Sequence, residues 1–64
     1  MTMPIVDPLF IAKALFEIGQ AYLGLKQPAK ARTYFARVAK DHSDDHRAPK
    51  ARRYLEFIDR GLRP

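Results

Sequence analysis

Apolar and polar positions alternate along this chain with helical rather than strand periodicity. From Leu9 to Leu25 the polar residues Lys13, Glu17 and Gln20 recur at spacings of four and three, which places them on one narrow stripe of a helix. Nearly every other position is apolar: Leu9, Phe10, Ile11, Ala12, Ala14, Leu15, Phe16, Ile18, Ala21, Tyr22 and Leu23. Pro8 suits the first helical position, Asp7 before it suits an N-cap, and Gly24 suits a terminator, so the pattern predicts a first helix over about 8–24. Pro4 and Pro8 make residues 1–7 an extended lead-in, from which Ile5 and Val6 could fold back on the helix. A helix that is apolar around most of its circumference wants cover on more than one side. One neighbouring helix cannot supply it.

Lys26-Gln27-Pro28 reads as a turn, with Pro28 opening a second helix over about 28–42. Ala31, Phe35, Val38 and His42 form its apolar stripe. Gly19, mid-helix in the first element, costs about 1 kcal/mol relative to Ala but lets a neighbour approach closely. The segment Asp41-His42-Ser43-Asp44-Asp45-His46 is rich in turn and capping residues. A third helix over about 47–61 follows, with Ala48, Ala51, Leu55, Ile58 and Leu62 as its stripe and Tyr54 and Phe57 beside it. Glu56 with Arg60 and Asp59 with Arg63 are i,i+4 pairs in the favourable order, and Gly61 marks the end. The expected fold is all-α: a helical hairpin plus a C-terminal capping helix, in a single domain over 8–64.

Composition sharpens this picture. With 64 residues the chain is one small domain or part of one, and such domains are marginal unless helped by cross-links, metals or another chain. No cysteine is present, so disulfides and thiolate metal sites are excluded; a cytoplasmic location is the expectation. The N-terminus lacks a positive n-region, and the Leu9–Leu25 run is too short and too polar to span a membrane.

The formal net charge is +5 and is unevenly spread: residues 26–64 carry eleven Lys/Arg against five Asp/Glu, a net of +6, whereas residues 1–25 net −1. A basic half suits an acidic partner, RNA or an anionic surface.

Leu15-x-x-Ile18-Gly19-x-x-Tyr22, followed by Ala31-x-x-x-Phe35, resembles the tetratricopeptide repeat. A repeat of this kind would occupy about Ala12 to Asp45, with the third helix as a cap. Leu15 stands where Trp is commonest and Ser43 where Pro would close the repeat. The resemblance implies binding to other proteins through a concave surface lined by the first helix, on which Lys13, Phe16, Gln20 and Leu23 would face the partner. Phe16 and Gln20 stand where a carboxylate-clamping subgroup carries Lys and Asn, so a more apolar contact is implied.

Candidate chemistry is sparse. Phe10, Lys13, Phe16, Gln20 and Leu23 form the candidate partner surface, and the apolar surplus points to self-association, with a homodimer favoured. Arg47, Lys50, Arg52 and Arg53 form the alternative, a phosphate-contacting third helix. Against it stand Glu56 and Asp59 among the cations and the lack of Asn or Gln for base reading. His42 and His46 have four-residue spacing but fall in a turn, where capping is the expected role. Ser43 is isolated and Glu17 sits on a solvent stripe beside Lys13, so neither an enzyme activity nor a cofactor is expected.

Overall fold

A computed structural model of the protein describes residues 8–61. It consists of three helices, α1 (Pro8–Gly24), α2 (Pro28–Asp41) and α3 (Ala48–Asp59), with no strand among the described residues. α1 and α2 form a helical hairpin, and α3 packs on α2. The expected N-cap at Asp7, the fold-back of Ile5 and Val6, and the roles given to Leu62 and Arg63 lie outside the described residues.

α1 ends at Gly24 as expected, and the left-handed position of the hairpin turn falls on Lys26, at φ 60°. Gln27 N–H donates to Tyr22 O (2.9 Å) and Lys26 N–H to Leu23 O (2.9 Å). This crossed pair satisfies two of the carbonyls left over at the end of α1. Pro28 then opens α2 where its missing N–H costs nothing. Gly61 closes α3 at φ 78°, a conformation that glycine adopts without steric strain.

The core is small and built on rings set against small residues. Phe35 and Val38 are fully buried, and Ala12, Phe16, Ala31, Ala48 and Ala51 complete the enclosed set. The Phe35 and Tyr54 rings stack at 4.4 Å with 4° between their planes. Phe16 presents its edge to both, at 5.6 Å and 5.7 Å. Such aromatic contacts add about 0.5–1.5 kcal/mol each beyond area burial. Gly19 is what admits Phe35: a Cβ at that position would lie 2.9 Å from the ring.

Asp45 organises the entry to α3. Its Oδ1 accepts from Arg47 N–H (2.8 Å) and from the Arg47 guanidinium (3.2 Å), while its carbonyl accepts from Ala48 N–H. The side chain is nearly enclosed, and Oδ2 has no hydrogen-bond partner. The Arg47 backbone donor is the chief cause of a carboxyl pKa below its ordinary value.

The third helix was expected to carry i,i+4 ion pairs. Asp59 reaches across to α2, where Arg32 Nε and Nη2 donate to its two oxygens at 2.8 and 3.4 Å. Glu56 and Arg60 form no ion pair with each other. The Arg32 hydrogen bond holds the Asp59 carboxyl below its usual range and raises the guanidinium.

Candidate interaction surfaces of the first helix

The candidate residues predicted on α1 do not form one surface. Phe10 is 63% exposed, and Lys13 and Gln20 also face out. Phe16 is only 8% exposed and belongs to the core, because the gap left by Ala31 and Ala51 draws its ring against Phe35 and Tyr54. Leu23 is half-buried and packs on the same core. The expected surplus of apolar surface on α1 is carried by Leu9 (57%), Phe10, and Ile11 and Ile18 (38% each), and Leu25 (65%) continues it just past the end of the helix.

Two distinct faces of α1 remain open. On one, α1 and α3 border a cleft of about 400 Å³ lined by Phe16, Gln20, Lys50, Arg53, Tyr54 and Phe57. Three rings make an apolar floor. Gln20 Nε2 donates to the Tyr54 hydroxyl at 3.2 Å and bridges the cleft. Lys50 and Arg53 are exposed at its rim and have no carboxylate partner among the described residues. An occupant with an apolar body and a negative group fits this chemistry.

The cleft also merges two sets of residues that the sequence keeps apart. Phe16 and Gln20 come from the partner-binding candidates; Lys50 and Arg53 come from the nucleic-acid candidates. The remaining two members of the basic set go elsewhere. Arg47 is half-buried and committed to Asp45, and Arg52 is exposed but does not line the cleft. Tyr54 and Phe57 were not among the predicted site residues. Their spacing of three placed both rings on one side of α3, but the helix with which they would make a cleft could not be read from that spacing.

On the second open face, Ile11, Ala14, Ile18, Ala21 and Leu25 follow spacings of three, four, three and four. Leu25 continues the helical register, since its N–H still bonds Ala21 O at 3.0 Å. Ala21 is exposed and Ala14 half-buried. The stripe is therefore continuous and apolar, and it turns away from the buried positions Ala12, Phe16 and Gly19.

His42 and His46 do not converge with acidic residues into a cluster: no group of three metal-ligating side chains occurs among the described residues. His46 lies 3.6 Å from Asp45 Oδ1, beside the turn that Asp45 organises. No described helix is long and apolar enough to cross a membrane. Comparison with family models, curated proteins and solved structures finds no match.

Proposed function

We propose that this protein is a non-catalytic protein–protein interaction module of tetratricopeptide type, a single hairpin with a capping helix. It docks onto a larger assembly or pairs with itself through α1. The observation that carries this reading is the exposure of Leu9, Phe10, Ile11 and Ile18 on α1 and of Leu25 just beyond its end. Further support comes from the cleft, whose aromatic floor and cationic rim suit a segment of an acidic partner polypeptide. The apolar floor would contribute most of the affinity, and Lys50 and Arg53 would set charge preference and association rate. The cleft lacks a carboxylate, histidine or hydroxyl nucleophile other than Tyr54, which favours binding over catalysis. We place the protein in the cytoplasm, a reading supported by the lack of cysteine.

Fluorescence anisotropy tests this function with two labelled peptides of equal length, one with acidic residues around a central Phe and one with Lys in their place. Preferential binding of the acidic peptide is expected, with Kd of about 10–100 μM, and Arg53→Glu should abolish that preference. Binding of labelled duplex DNA or RNA more tightly than either peptide, with a steep salt dependence and loss on Arg52→Glu, would transfer the function to the basic third helix.

A further inference from the structure

We infer that the occupant of the second open face of α1 is a second copy of this chain, packed antiparallel about a two-fold axis level with residue 16. The inference rests on the interaction-module reading and names a partner for a face that the cleft does not use. Its basis is the alternation of large and small side chains along the stripe: Ile11, Ala14, Ile18, Ala21. The axis sets Ile11 opposite Ala21 of the partner subunit and Ala14 opposite Ile18 of the partner subunit, and symmetry repeats both contacts. Every layer then joins one large and one small residue, so the helices approach closely without leaving a void. A parallel pairing would stack Ile on Ile and Ala on Ala, and the alanine layers would be under-filled.

Charge selects the same arrangement. Lys13 and Glu17 flank the stripe, and both are exposed. The antiparallel register keeps this flank of both helices on one side of the seam, so Lys13 lies within about 3 Å along the axis of the level of Glu17 of the partner subunit, twice over by symmetry, against one approach of Glu17 to Glu17 of the partner subunit at the same offset. Parallel pairing would put the Lys13–Glu17 flanks of the two copies on opposite sides of the seam, where neither of these cross-pairs could form. The seam from Ile11 to Ala21 is short, about 15 Å at 1.5 Å per residue, so the dimer should be of micromolar strength.

Sedimentation velocity on the full chain, from about 5 to about 500 μM, reads this directly. The mass should move from one to two chains of 7.4 kDa across that range. Ala21→Glu, at an exposed position, should hold the protein monomeric at every concentration with its helical circular dichroism intact. Ile18→Glu should do the same. For orientation, separately prepared Ala14→Cys and Ile18→Cys proteins should cross-link to each other faster than either does to itself. A monomer throughout, an Ala21→Glu variant that still dimerises, or fastest self-cross-linking of Ile18→Cys would each overturn the pairing. The two functions separate cleanly: Arg53→Glu should lose acidic-peptide binding and keep the dimer, and Ala21→Glu should do the reverse. Intact peptide binding by a strict monomer would leave the cleft reading standing and remove the seam alone.

Discussion

The missing side chain of Gly19 makes the room on α1 that the Phe35 ring of α2 fills. Alanine there should gain about 1 kcal/mol of helix propensity. Its Cβ, however, would meet that ring at 2.9 Å, and the ring is clamped between Tyr54 and Phe16. Overpacking of this kind costs about 1–3 kcal/mol, so we expect Gly19→Ala to lower stability by about 1 kcal/mol in urea unfolding, against propensity. Asp45 shows the limit of composition. Four of the six residues in 41–46 are acids or Ser, and all suit a turn, yet only Asp45 is drawn in under α3 to hold Arg47. Its folded-state carboxyl titrates below the ordinary 3.8, so its stabilising contribution is full above that pH and is lost as pH falls through the lowered value. Wild type should therefore melt at progressively lower temperature below about pH 4. Asp45→Asn should be less stable at neutral pH and lose less on acidification over the same interval.

At the scale of helices, periodicity worked because Pro or Gly marks the bounds of each apolar stripe: Pro8 and Pro28 open α1 and α2, and Gly61 follows the end of α3. It could not apportion α1's apolar residues among core, cleft and open face. Phe10 and Phe16 look alike in the sequence, six residues apart and both off the polar stripe of a largely apolar helix. Only the placement of α2 and α3 makes one a core ring and leaves the other in solvent. Alanine substitution separates them: Phe16→Ala should cost about 3–5 kcal/mol, as for a buried aromatic, and Phe10→Ala should leave stability nearly unchanged. Equal losses in denaturant melts would mean that the two rings share one environment. The Glu56–Arg60 pair expected on α3 does not form, while Arg32 on α2 holds Asp59 with two hydrogen bonds, a connection between helices that local i,i+4 spacing does not reveal.

For the molecule as a whole, size and charge bear on each other. The three helices of the described residues enclose one small core, and the leading helix keeps two of its faces open. The acidic balance of the first 25 residues and the basic balance of the rest mean that α1 contributes few charges of its own to oppose pairing: Lys13 and Glu17 lie on the same flank and are of opposite sign. Repulsion between copies would come mainly from the basic second half, whose Lys50 and Arg53 sit at the cleft rather than on the stripe. Added salt should therefore strengthen self-association, by screening net positive repulsion while the apolar layers persist. The same salt should weaken any acidic occupant of the cleft. Folding linked to pairing also makes the melting temperature depend on concentration. We expect wild type to melt at a temperature that rises with protein concentration and, at fixed concentration, with NaCl up to about 0.3 M. Ala21→Glu should melt at one temperature regardless of concentration. A wild-type melt independent of concentration over a hundredfold range would mean that the protomer's own small core suffices, and that the open stripe contributes nothing to stability.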